Sequence, residues 1–239
     1  MVAWETILMI FSEKSMRPLA PFLLLFAAAC SSAGEGEGEV IVAPILTSAE
    51  AHDPWTFAEP EVARVTHVAL DLELDFETRS VGGTATLDIL AEPGVDTLVL
   101  DDDGLEIAGI TDTEGAALPF EVGEEVADKG APLTVKIGDA RKIVVTYTAP
   151  GAEALQWLAP EQTAGGEHPY LLSQGQPTLN RTWIPTQDSP GIRQTWEARV
   201  IAPKPLTVVM SGLRAGEPEE LDRNRRAFRF AMDKPIAIR

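Results

Sequence analysis

Cysteine is nearly absent from the 239 residues: Cys30 stands alone, so no intrachain disulfide can form. Histidine is almost as scarce, with His52, His67 and His168 the three present. No two of them stand at helical spacing and no HExxH occurs, which excludes a metal-binding helix of that kind. With no thiol beyond Cys30, a Cys–His nucleophile is excluded as well. GxSxG, phosphate-loop and dinucleotide fingerprints are missing too. Cations are few, 19 Lys and Arg against 37 Asp and Glu, a formal charge of −18. That balance weighs against nucleic acid, whose affinity is built on cationic contacts to phosphate, and against anionic lipid surfaces. Long amphipathic helical patterns and βαβ alternation are also missing, and the apolar stretch before Cys30 falls short of the ~20 residues of a membrane span.

What that stretch does fit is a secretory leader. Met16-Arg-Pro-Leu-Ala-Pro-Phe-Leu-Leu-Leu-Phe-Ala-Ala-Ala-Cys30 has a short cationic start, an apolar run and small residues before the cysteine. Phe26-Ala-Ala-Ala-Cys30 resembles a bacterial lipobox, with Ala27 where Leu is more usual, and implies lipidation of Cys30. A plain signal peptide or a buried helix with an incidental cysteine are the alternatives. Residues 1–15 are read as an overextended start before Met16, or as part of an unusually long region ahead of the apolar run. Ser31 to Glu39 is a Gly, Ser and Glu tether with nothing to bury. The expected organisation is a signal segment over 1–29, a lipidated cysteine and tether over 30–59, and a folded domain over 60–239. The expected location is the cell envelope, periplasmic or outer-membrane, with membrane contact only through the lipid anchor.

The body reads as an all-β domain, antiparallel and sandwich-like. Val68, Leu70, Leu72, Leu74 and Phe76 alternate with Ala69, Asp71, Glu73, Asp75 and Glu77, one face buried and one wet. Val81–Leu90 is the expected hairpin partner, with Ala85, Leu87 and Ile89 inward. Further strands are expected at Thr97–Leu100, Leu105–Ile110, Leu118–Val122, Leu133–Ile137, Lys142–Thr148, Tyr170–Gln174, Gln194–Ile201, Leu206–Met210 and Arg226–Met232. Asp101-Asp-Asp-Gly104 has turn composition, and Glu92-Pro-Gly94, Ala149-Pro-Gly151 and Pro203-Lys-Pro205 punctuate the series at the short intervals of a sandwich or open barrel.

One segment breaks the alternation. Gln174–Pro190, "QGQPTLNRTWIPTQDSP", gathers three prolines, three glutamines, an Arg and an Asp. Its prolines restrict the backbone, and Arg181 and Asp188 are placed to pair across it. By residue type, Gln174 and Gln176 satisfy a tight loop. His168, in a Gly-rich turn just upstream, either fixes its loop or lies near a site; His52 and His67 read as surface or hydrogen-bonding residues.

The run from Ala154 through Gln176, "LQWLAPEQTAGGEHPYLLSQGQ" after Ala154, followed by Arg181, Pro185 and Asp188, resembles the N-terminal domain of zinc aminopeptidases of the aminopeptidase N family, nearest the leukotriene A-4 hydrolase branch. The resemblance spans roughly Pro60 to Arg239. It implies a saddle of β-strands packed against a catalytic zinc domain, and a rim loop in which Gln176 and Gln174 contact the free α-amine of a peptide substrate. A neutral amide can offer its carbonyl oxygen to an ammonium. The GxMEN strand and HExxH helix of full-length members do not occur among these residues, so no metal ligands are expected in this chain, and zinc and its domain are expected C-terminal to it. The implied function is the substrate-rim domain of a bacterial zinc aminopeptidase, inert by itself, with epoxide hydrolysis carried only by the branch resemblance. The alternative is a non-enzymatic envelope lipoprotein whose β-sandwich binds peptide or protein partners.

Overall fold

The computed structural model describes residues 42–45 and 52–237. The leader, Cys30 and most of the tether lie outside the described residues. Among the described residues, thirteen strands carry the fold: β1 (Ala63–Asp75), β2 (Ser80–Ala91), β3 (Thr97–Asp102), β4 (Glu106–Asp112), β5 (Phe120–Val122), β6 (Ala131–Lys136), β7 (Lys142–Pro150), β8 (Leu155–Leu158), β9 (Tyr170–Ser173), β10 (Gln194–Pro203), β11 (Leu213–Arg214), β12 (Glu219–Glu220) and β13 (Arg225–Ile236). The remaining regular structure among the described residues includes single 3-10 turns at Pro160–Gln162 and Asn180–Thr182.

The large sheet runs β11-β13-β10-β1-β2-β7-β4, with β12 also on β13. The alternation in β1 is realised as expected: Val68, Leu70 and Leu72 are buried while Asp71 and Glu73 face water. Asp75 accepts the amides of Glu77 and Thr78 and so shapes the turn into β2. Across the hairpin, Leu70 faces Ala85 and Val68 faces Leu87, which puts both apolar rows on one side. That face meets a second sheet, β3-β6-β5, through fully buried Leu98, Leu100, Leu133 and Val135. A small hairpin, β8-β9, hydrogen-bonds to neither sheet, yet Leu155 joins the core and Trp157 and Leu171 pack against it. Burying a Leu or Val side chain contributes about 1.5–3 kcal/mol, so this continuous core carries the domain.

Three expectations need correcting. The sheet is not wholly antiparallel, because β10 lies parallel to β1, pairing Val68 with Trp196 and Leu72 with Val200. Parallel neighbours require a long crossover, and here everything from β2 to β9 supplies it. Asp101 and Asp102 are not turn residues; they end β3 and are buried at 0% and 3% exposure. Leu206–Met210 keeps its alternation but joins no sheet, whereas β8, β11 and β12 form where no strand was expected.

Candidate functional site

The proline-rich segment divides into a buried brace and an exposed rim. Arg181, on the 3-10 turn, is 1% exposed. Its amide donates to Asp188 Oδ2 at 3.1 Å and its Nη2 to the Asp188 carbonyl at 2.9 Å. Nη1 reaches the carbonyl of Lys129 at 2.6 Å. Nε stands 3.6 Å from Asp188 Oδ2 and Nη2 stands 3.8 Å from Asp101 Oδ2, ion pairs rather than hydrogen bonds. Arg181 and Asp188 therefore pair as expected, and Asp101 joins them.

Asp101 is a hub. It accepts from Thr56 Oγ1 at 2.6 Å, from the Phe57 amide at 2.7 Å and from the Asp188 amide at 2.8 Å. Gln187 is equally committed: Oε1 accepts from the Val65 amide, while Nε2 donates to the carbonyls of Ala63 and Val99. Buried backbone groups need such partners. Ser189 donates to Asp53 and Thr186 to Gln194. Gln187, the Asp188 amide and Ser189 thus lock the segment from Asn180 to Gln194 to β1, β3 and Asp53, while the side chains of Asn180, Thr186 and Gln194 bond within it.

Two carboxylates and one guanidinium share this interior. Burial pushes the Asp188 carboxyl up, against the pull of the Arg181 amide and charge. Burial also raises Asp102, next to Asp101 in β3, to about 6, although the Leu105 amide donates to it. The brace also demands Gly130: its φ is +76°, and a Cβ there would collide with the carbonyl of Asp102. The amide of Asp103 completes the tie by donating to the Arg181 carbonyl.

The rim begins where β9 ends. Gln174 and Gln176 are both exposed. The Gln174 amide is held by the carbonyl of Ala154, and its Oε1 accepts from the Gln176 amide at 3.0 Å. Gly175 between them is buried against Asn180, whose Cγ would stand 2.6 Å from an added Cβ. The Leu179 amide closes the turn onto the Gly175 carbonyl, across a cis Gln176–Pro177 bond. The two glutamines therefore differ. The oxygen of Gln174 is engaged in shaping the loop, whereas the Gln176 side chain makes no hydrogen bond among the described residues.

The histidines are not brought together. His67 Nδ1 is 2.7 Å from Thr195 Oγ1, and His52 is exposed. His168 is exposed beside Glu167, and its carbonyl, accepting from Thr163, fixes the turn. Among the described residues no three His, Cys, Asp or Glu side chains are grouped so as to hold a metal ion. Asp101 and Gln187 were not legible as members of this network, because partners such as Phe57, Asp188 and Val65 lie far away along the chain; Gln194 bonds to Thr186 and Gln187 close by, and its residue type carried no signal of that.

A family model described as Peptidase M1 N-terminal domain matches residues 64–237. Leukotriene A-4 hydrolase of Xenopus laevis is 37% identical over 77% of this chain and 32% of its own length. Leucine aminopeptidase 2 of Phaeosphaeria nodorum is 32% identical over 78% of this chain and 31% of its own. The chain thus spans about a third of the curated relatives it matches. Among solved structures, native leukotriene A4 hydrolase of Saccharomyces cerevisiae superposes with a TM-score of 0.68 at 27% identity, over 80% of this chain and 30% of that one. An M1 zinc metallopeptidase from Deinococcus radiodurans shares the fold, with a TM-score of 0.56 at 18% identity over 74% of this chain and 40% of that one.

Proposed function

Because this chain belongs to the peptidase M1 N-terminal domain family, we propose that it is the substrate-rim domain of a bacterial zinc aminopeptidase, an enzyme that removes N-terminal residues from peptides. The observation that carries the reading is the contrast between the two glutamines: Gln174 is engaged in the loop, and Gln176 is exposed with an uncommitted amide. Gln176 would offer its carbonyl oxygen to the substrate's α-ammonium. A hydrogen bond to a charged group contributes about 1.5–3 kcal/mol, enough to select free amino termini without performing chemistry.

The residues described do not fit zinc: their histidines are dispersed and no metal-binding cluster is formed. On this reading, metal-activated water is supplied by another part of the enzyme. The same reading includes a lipid anchor at Cys30 and an envelope location. Labelled palmitate should enter the protein in a bacterial host, and Cys30→Ser should abolish incorporation.

The decisive experiment replaces the matched N-terminal third of the Xenopus enzyme with this chain. The fusion should hydrolyse leucyl-p-nitroanilide, and Gln176→Ala should raise KM by about 10-fold or more, as the loss of one such bond requires. An unchanged KM in a folded, active fusion would remove Gln176 from the site. The chain alone, with added zinc, should show no chelator-sensitive turnover; finding it would overturn the division of labour.

A further inference from the structure

Leu206–Met210 has the composition and alternation of a strand and the bonding of none. Leu206, Val208 and Met210 turn inward, onto an apolar cavity of about 220 Å³ shared with Leu72, Trp183 and Leu171. Thr207 and Val209 are the exposed members of the segment, Val209 at 84%, and both also border that cavity at its open side. The Leu206 amide is held by the Pro203 carbonyl and its own carbonyl accepts from Arg226. From Thr207 to Met210, no backbone N–H or C=O has a hydrogen-bond partner among the described residues.

Such a segment is a template. Unpaired strand backbone recruits another strand, and proteins usually guard it with charge or proline along its length. Here Lys204 and Pro205 precede the segment, and nothing charged interrupts it. It also borders the rim: Val209 and Met210 line a second cavity with Ser173 and Asn180, the residues flanking the Gln174–Gln176 turn. Tyr170, which lines the first cavity, is 52% exposed and extends the apolar surface.

We propose that Leu206–Met210 is a docking strand, which receives by β-addition an edge strand from the zinc-bearing remainder of the enzyme. This rests on the functional reading above. Two observations select that occupant. About two thirds of the curated relatives' length lies outside the matched region and must pack somewhere. The unpaired backbone also adjoins the loop that, on that reading, faces the catalytic part. In β-addition the main chain supplies affinity and alternate side chains supply register, which would give Val209 a pocket in the partner.

Hydrogen exchange tests the proposal. In the chain alone, the amides of Val208, Val209 and Met210 should exchange without protection. In the fusion to the Xenopus enzyme they should slow by about 100-fold or more, as amides do on entering a paired strand, and Val209→Arg should reduce that protection. If the fusion hydrolyses leucyl-p-nitroanilide while these amides stay unprotected, the docking strand is wrong and the functional reading survives. If they are protected and the folded, zinc-loaded fusion is inactive, the reverse holds. Protection already present in the chain alone, with dimer mass, would identify a second copy as the occupant. Protection in a monomer that is lost on deleting residues 16–29 would identify the chain's own apolar stretch. Either result overturns the proposal. Should the fusion not fold, exchange is measured on the chain mixed with the separately produced remainder, and absence of protection there counts against it.

Discussion

Arg181 and Asp188 are joined at three points: main-chain N–H to carboxylate at 3.1 Å, guanidinium to main-chain carbonyl at 2.9 Å, and Nε to carboxylate at 3.6 Å. Each residue thereby fixes the other's backbone as well as its side chain. The seven-residue interval between them becomes a closed bracket, and the rim turn is mounted on its outer end through Asn180 and Gly175.

Removing the cation should therefore collapse the bracket. Arg181→Ala leaves two carboxylates buried without their counter-ion, a change that typically costs about 3–5 kcal/mol. Thermal unfolding should fall accordingly. Arg181→Lys should recover only part of the loss, because one ammonium cannot serve both the Lys129 and Asp188 carbonyls from a planar fork. An unchanged melting temperature in Arg181→Ala would refute the bracket.

Asp102 should make stability depend on pH in an identifiable direction. Its folded carboxyl titrates at about 6, above the ordinary carboxylate value. Between these two values the folded state holds a proton that the unfolded state has lost, so this group's contribution is present at low pH and is lost as pH rises through about 6. Asp102→Asn keeps an oxygen for the Leu105 amide and removes the titration. Urea unfolding from pH 4 to pH 7 should show the variant gaining on the parent protein as pH rises. A constant difference would mean that Asp102 does not titrate in this range.

Tyr147 offers a gain. Its ring is 2% exposed, and its hydroxyl is buried with no hydrogen-bond partner among the described residues. Burial also holds that hydroxyl in its neutral form by raising its pKa. Tyr147→Phe deletes an unsatisfied polar atom and keeps the ring. Stability should be unchanged or higher by up to about 1 kcal/mol. A loss above that in chemical denaturation would show that the hydroxyl has a bound partner such as water.

How much of this was legible in the sequence depends on where each residue's partners lie. β1 could be read because one face is wet and the other dry, and that contrast is written locally. Leu206–Met210 shows the same contrast, but alternation reports two unlike faces and says nothing about which chain receives the hydrogen bonds. Asp101 and Asp102 looked like a turn because of Gly104, yet the amides that Asp101 satisfies belong to Phe57 and Asp188. Gln187 was invisible for the same reason, since its amide partner Val65 lies 122 positions away. The Arg181–Asp188 pair was expected, and the family resemblance pointed to the segment. The different commitments of Gln174 and Gln176 emerge only from geometry, since both are glutamines in one short turn.

The parallel seam between β1 and β10 sets a schedule for the growing chain. His67 and Thr195 meet across it at a separation of 128 residues. At synthesis rates of about 5–20 residues per second, β1 waits roughly 6–26 s for that neighbour. Until then the middle of the large sheet has an open side, and contacts of such separation form slowly even once both strands exist. A nascent chain of this design stays incompletely folded until most of it has left the ribosome, a window in which a chaperone can still engage it.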